Sequence, residues 1–352
     1  MTEDLAAEFR RFAEEDCSGR VGSASTLYEH LSQQIADDPE LLRLAADTRE
    51  EQPAPMALLA AVQFLLFERS DHRLAAFYPS VDGPTQPIEN STYPAFKAFC
   101  NEYEAAIREL VSTRRVQTNT VRRSACLLPA FEYVSQAVDR APLGLVEIGS
   151  SAGLNLLWDR YGYRYDEQMA GDEASAVEID CERRGEIEPP LPDAMPPVGS
   201  RRGVDLHPLD VTDAADRRWL DALIWPEHDH RRANVRHAAE LAAEQPPTIH
   251  EGDVLDILDD VIDRVPADQP VCLYNSYVLY QLSDSQRADL YDLVSALGTD
   301  RDIYWLSCEW AMDIASPTIT LYRYENGIHS AELLARFHGH GEWIEWLQRD
   351  GF

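Results

Sequence analysis

The stretch Leu145-Val-Glu-Ile-Gly-Ser-Ser-Ala-Gly-Leu-Asn155 restricts the possible folds of this chain more than any other segment. Leu145 to Ile148 is a short apolar run that ends at Gly149, with Pro142 and Gly144 punctuating its start, so it reads as a buried parallel strand. Leu154, Leu157, Trp158 and Tyr161 recur at helical spacing and predict a helix directly after it. The small residues of Gly149-Ser-Ser-Ala-Gly153 let the backbone turn sharply and approach a ligand, and free N–H groups of the new helix are expected to point into the turn. Strand, glycine turn and helix together open a nucleotide-binding α/β domain. An ordinary strand-to-helix turn is the simpler alternative. The carboxylate of Glu147, just before the loop, favours a ligand site.

Downstream, strands and helices alternate. Arg202–Asp205, Thr248–Asp253, Val271–Ser276 and Ile303–Ser307 read as the second to fifth core strands, with helical patterns between them. Ile319–Tyr324, the tight-turn pair Asn326-Gly327 and Leu333–His338 read as a terminal hairpin. Alternation implies a parallel sheet. The expected fold is therefore an α/β, Rossmann-like domain over 141–352, of about seven mainly parallel strands with a terminal antiparallel hairpin. Residues 162–200, with Ala176–Cys181 alternating and Glu186–Val198 rich in proline, read as an insertion, a hairpin with an irregular return. Residues 1–140 carry helical periodicity and no strand pattern, and predict a helical cap domain.

Charge narrows the partners. The chain of 352 residues has 62 acidic and 31 basic side chains, a formal net charge of −31, and Lys97 is its only lysine. Such a composition resembles that of proteins from salt-in halophilic archaea, where a hydrated acidic surface keeps the chain soluble. It argues against general binding to nucleic acid or anionic membrane, both of which need a basic face. The acidic N-terminus, the absence of a spanning apolar run and six scattered cysteines without a C-x-x-C pair predict a cytoplasmic protein with reduced thiols. His228/His230 and His338/His340 have no third ligand in sequence reach, so no metal site is expected, and no Gly-x-Ser-x-Gly elbow exists.

Against this background, Thr113–Arg123 holds four arginines, with Gln117 and Asn119 as neutral donors and acceptors. Gln117, Asn119 and Arg122 are expected to bind an anionic or carboxylate group of a substrate; the alternative is a helix start whose arginines pair with neighbouring acids. Trp225 and Glu227, in the loop region after the second strand, are further substrate-binding candidates, with core packing the alternative for the tryptophan.

Glu147-x-Gly149-x-Ser151-x-Gly153 resembles the first motif of class I S-adenosylmethionine-dependent methyltransferases, with Ser151 where the middle glycine usually stands. The resemblance implies S-adenosylmethionine as cofactor. Glu147, Gly149, Ser150, Ser151, Gly153 and Asn155 would lie around its methionine half, Asp205 at the ribose hydroxyls and Asp253 at the adenine amino group. Asn275, ending the fourth strand, would be the catalytic residue facing the methyl. At whole-chain level the sequence more closely resembles the DUF2332 family. The matching pieces are Val116–Asn119, Leu145–Asn155, Asp159–Tyr161, Gly203–Pro208, Trp225–Glu227 and His338–Trp346; the family pattern has a glutamate where Thr120 stands here. Two functions follow as expectations: a methyltransferase of unknown acceptor, or a methyltransferase-like fold that binds a nucleoside or a protein partner without catalysis.

Overall fold

The structure is a computed structural model that describes residues 2–19, 24–310, 316–325 and 328–349. The chain divides into two compact units, residues 1–118 with 213–233, and residues 119–212 with 234–352.

The described residues of the first unit are helical. It contains α1 (Thr2–Arg11), α2 (Thr26–Ile35), α3 (Pro39–Ala45), α4 (Ala54–Leu66), α5 (Thr92–Glu102) and α6 (Glu104–Thr113). Its core helix is α4, in which twelve residues are buried. The single helix expected over residues 96–111 is two, because Tyr103 leaves helical geometry at φ −110°, ψ 23°. Residues 213–233, expected in the α/β part, fall in this unit. The reason is apolar: Trp219, Ala222 and Leu223 join a cluster with Phe64, Leu65 and Leu66.

Conversely, α7 (Ser124–Ala137), expected with the helical domain, belongs to the second unit. Twelve of its residues are buried, so it is a core helix of the α/β unit and not a surface element. The sheet of this unit has eleven strands in the order β3-β2-β4-β11-β10-β9-β8-β7-β1-β5-β6. Its parallel centre runs β6 (Thr248–Glu251), β5 (Val198–Asp205), β1 (Leu143–Ile148), β7 (Val271–Ser276) and β8 (Ile303–Glu309). Asp205 ends the strand beside β1, as the pattern predicts.

The count of about seven strands is corrected to eleven. After β8 the chain meanders through β9 (Thr318–Glu325), β10 (Ile328–Phe337) and β11 (Trp343–Trp346), each antiparallel to the one before. The turn residues Asn326 and Gly327 lie outside the described residues, and Glu325 pairs with Ile328 across them. The supposed insertion extends the sheet: β2 (Gly162–Tyr165) and β3 (Gln168–Gly171) form a hairpin, and β4 (Glu178–Arg184) lies parallel to both β2 and β11. The sequence hides this because pairing across some 160 residues is a tertiary event that leaves no local signal.

On one side of the centre, Val146 and Ile148 pack with Leu258, Val261 and Ile262 of α10 (Val254–Asp263) and Leu290 and Val294 of α11 (Asp284–Leu297). Glu147 points to the opposite side, as strand alternation requires.

Candidate functional site

Because β6, β5, β1, β7 and β8 are parallel, their carboxyl ends share one edge of the sheet, the place where an open α/β sheet binds ligands. Gly149 leaves β1 at φ +71°, and a side chain there would collide with Val278. Ser151 is itself left-handed at φ +51°, strained backbone for a residue that is not glycine.

Asp205 holds that strain. One carboxylate oxygen accepts the Ser151 N–H at 2.7 Å and the other the His207 N–H at 2.8 Å. Gly149 and Ser150 donate their N–H groups to Val204 O at 2.8 and 3.2 Å, and Gly153 donates to Ser150 O at 2.7 Å. Four N–H groups of the loop, those of Gly149, Ser150, Ser151 and Gly153, are thus engaged within the protein. The segment that follows, Leu154–Arg160, is a 3-10 helix kinked at Leu157.

The side chains of the loop behave differently. Ser150 and Ser151 are buried, and each Oγ lacks a partner. The same holds for Thr120 Oγ1. Segment 119–123 belongs to this unit, and Asn119 Nδ2 lies 3.5 Å from Ser150 O, at the limit of a hydrogen bond. Gly203, on β5, has no room for a side chain because Ser150 Oγ fills the space above it.

Glu147 is buried, with the Tyr274 hydroxyl donating to it at 3.3 Å and Asn155 as a further partner. Burial pushes its carboxyl well above the usual carboxylate range. The Tyr274 hydrogen bond opposes this, the Asp205 charge reinforces it, and Arg123 and Asn155 oppose it more weakly. Asn155 Oδ1 accepts from Ser124 Oγ at 3.0 Å, so Glu147 sits in a small polar island beside α7. Asp253 caps α10, its carboxylate accepting the Leu255 N–H at 3.0 Å.

At the ends of β7 and β8 the structure reassigns roles. Asn275 is fully buried and its amide is engaged at both ends: Oδ1 accepts the Trp305 indole N–H at 2.7 Å, and Nδ2 donates to Glu309 Oε1 at 2.7 Å. It positions Glu309. Glu309 Oε1 also accepts the backbone N–H of Val278 and Leu279 at 2.7 and 2.9 Å. Burial raises the Glu309 carboxyl above its ordinary value, and these hydrogen bonds and Arg123 partly offset the rise.

Arg123 is 7 % exposed. Its Nε donates to Gly339 O at 3.1 Å, its Nη1 donates to Ser276 O at 3.3 Å and to Ser276 Oγ at 2.6 Å, and its guanidinium lies 4.5 Å from the centre of the Tyr277 ring. Tyr277 is another left-handed residue, at φ +60°. Arg123 and Tyr277 are candidate site residues that sequence reasoning did not single out; Glu309 stands after the fifth strand, where the sequence places a candidate. The arginine cluster was visible, but not which of its members turns inward. The neighbouring Arg122 goes elsewhere, to Asp180 O at 3.1 Å and Glu342 at 3.7 Å.

Among the described residues, three of the five exposed large apolar side chains, Leu206, Tyr280 and Trp310, follow the carboxyl ends of β5, β7 and β8. The other substrate candidates lie in the helical unit, where Trp225 packs on Phe12 and Tyr28 and donates to Met56 Sδ at 3.3 Å. Glu227 accepts from Ser25 Oγ at 2.7 Å and from the Leu27 N–H at 2.9 Å, bracing the start of α2. Gln117 also falls in that unit.

A cavity of about 590 Å³ in the sheet unit is lined by Tyr133, Trp346 and Gln348, none of them site residues. Among the described residues no cluster of His, Cys, Asp or Glu could hold a metal ion, and no helix is long and apolar enough to cross a membrane.

No curated protein and no solved structure matches the chain. A family model does, over residues 6–346, and it contains both the glycine loop and the His338–Trp346 segment; the chain belongs to the family described as "uncharacterized protein conserved in bacteria (DUF2332)".

Proposed function

We propose that the carboxyl edge of the sheet binds S-adenosylmethionine and that the protein is a methyltransferase. The observation that carries this reading is the Asp205–Ser151 bond. It engages the Ser151 N–H and holds the Asp205 carboxyl at a strand end beside the glycine loop. An acidic side chain there suits the hydroxyl and ammonium donors of such a ligand. The unpartnered Ser150, Ser151 and Thr120 hydroxyls are the buried polar atoms such a ligand would satisfy. Asp205 would meet the ribose, Asp253 the adenine amino group, and the exposed Leu206 the adenine face. The cofactor would supply the methyl group; the chain's own residues bind, orient and exclude water.

A second reading, ligand binding without catalysis, is favoured by one fact. Asn275, the residue expected to face the methyl, has its amide engaged inside the protein.

Calorimetry with S-adenosylmethionine tests the proposal. Asp205→Ala and Asp253→Ala are each expected to weaken binding roughly ten- to hundred-fold, as loss of a charge-assisted hydrogen bond does. Asp205→Asn, which can still accept the Ser151 N–H, separates ligand contact from loop support. Asp260→Ala, on the exposed side of α10, leaves affinity unchanged. No binding by the folded wild type at millimolar ligand would sink the methyltransferase reading.

A further inference from the structure

The proline-rich stretch 186–198 has no part in the carboxyl edge, yet side chains tie it down at two points. Arg183 of β4 bonds the Glu188 carboxylate from Nη1 and Asp166 Oδ2 from Nε at 2.9 Å. Further along, Arg140 donates from Nη2 to Ala194 O, while its Nη1 is held by Glu132 Oε1 at 2.7 Å. Pro189, Pro190 and Pro192 lie between these anchors and fix their own φ angles. The stretch thereby forms one wall of the cavity of about 590 Å³, a volume within the range of about 300–1,000 Å³ usual for small-molecule sites. Ile187 and Pro190 are the apolar part of that wall. Opposite them lie Tyr133 of α7 and Trp346 of β11, both buried, which meet edge to face with ring centres 5.7 Å apart.

The polar groups around the cavity are mostly acceptors. Gln136 Nε2 donates to Glu132 Oε1 at 3.0 Å and Gln348 Nε2 to Leu333 O at 2.5 Å, so the atom that each amide keeps unbonded is its carbonyl oxygen. Glu188 gives one carboxylate oxygen to Arg183 and keeps the other, and Glu186 carries its carboxylate at the exposed rim. Among the described lining residues Arg349, which is exposed, is the single cation.

We infer that this cavity binds an organic ammonium ion, a protonated primary amine on an aromatic or branched apolar body. The body lies against Tyr133, Trp346, Ile187 and Pro190, and the ammonium donates to the amide and carboxylate oxygens. A primary ammonium has three donors and no acceptor, which matches a lining of two amide oxygens and two carboxylates. A hydroxyl would offer the same oxygens a single uncharged donor, and N–H bonds from a cation to a carboxylate are roughly twice as strong. A ligand carboxylate would meet four acceptor groups and one guanidinium. The aromatic side also favours a cation. None of the lining residues belongs to the carboxyl edge of the sheet, so this site stands apart from the proposed function and does not depend on it.

The probe is phenethylamine, compared with 2-phenylethanol and 3-phenylpropionate, which carry a hydroxyl and a carboxylate on the same body. Calorimetry on the full chain in molar KCl suppresses the diffuse attraction of any amine to a chain of charge −31. Phenethylamine is expected to bind about five-fold or more tighter than 2-phenylethanol, with 3-phenylpropionate weakest. Glu186→Gln, at an exposed side chain, should cut the amine's advantage and leave the affinity for the alcohol as it is. Ile187→Ala shortens the apolar wall and should weaken all three probes together. Glu173→Gln, an exposed acid outside the lining, should change none of them. Circular dichroism establishes that each variant is folded. If Glu173→Gln lowers amine binding as much as Glu186→Gln, or if Ile187→Ala changes nothing, the amine is held by surface charge and the inference falls. Equal binding of the three probes, or none at ten-millimolar ligand by folded wild type, also overturns it. S-adenosylhomocysteine at saturation should leave phenethylamine bound; competitive displacement would move the amine to the carboxyl edge and overturn the inference.

Discussion

Glu147 shows how a residue that the sequence singles out can change meaning in the fold. Its place before the glycine loop marks it as a site residue; its burial and the adjacent Asp205 then hold its carboxyl well above the usual range. The consequence for stability has a definite sign. The folded state keeps the Glu147 proton at pH values where the unfolded chain has released it. Folding is therefore unpenalised below the ordinary carboxylate pKa and loses stability as pH rises toward the higher folded value. Denaturant titrations should show Glu147→Gln with a flatter pH profile than wild type above about pH 4.5, the usual glutamate value. A variant that tracks wild type across that window would show that burial does not govern this group. Asn275 went the other way: its position at a strand end is visible in sequence, whereas its engagement by Trp305 and Glu309 is visible only in three dimensions.

At the scale of elements, the ends of helices and strands are where local chemistry is decisive. Ser283 caps α11 in a capping box, accepting the Gln286 N–H at 3.3 Å while the Gln286 side chain accepts the Ser283 N–H at 3.0 Å. Ser283→Ala should cost about 1 kcal/mol, read as a lower denaturation midpoint with unchanged slope. Gly149→Ala tests the loop. It forces a side chain into φ +71° and against Val278, so a loss of about 1–3 kcal/mol is expected. A neutral result would mean that the loop relaxes without strain. The same positions organise the site, since Val278 donates its N–H to Glu309.

For the whole molecule the dominant quantity is charge. At −31, self-repulsion opposes the compact state, and salt screens it over a Debye length of about 3 Å at 1 M against about 10 Å at 0.1 M. The melting transition should move upward with KCl, and helical circular dichroism should fall markedly below roughly molar salt. Full stability in dilute buffer would remove the halophilic reading of the composition. The parallel centre of the sheet was legible because buried strands are continuous apolar runs, as in Val271–Tyr274, and because Gly149, Asp205 and Asp253 punctuate their ends. By itself the sequence determined the strand–helix alternation, β1 with the glycine turn that follows it, and the acids Glu147, Asp205 and Asp253 at or just past strand ends. The tertiary structure alone decided what depends on distant pairing. It recruited β2, β3, β4 and β11 to the sheet, took residues 213–233 into the helical unit and turned Arg123 inward onto Gly339, Ser276 and Tyr277. The physical reason is that periodicity reports how a segment meets its own neighbours, whereas burial of a charge or pairing of an edge depends on chain far away in sequence.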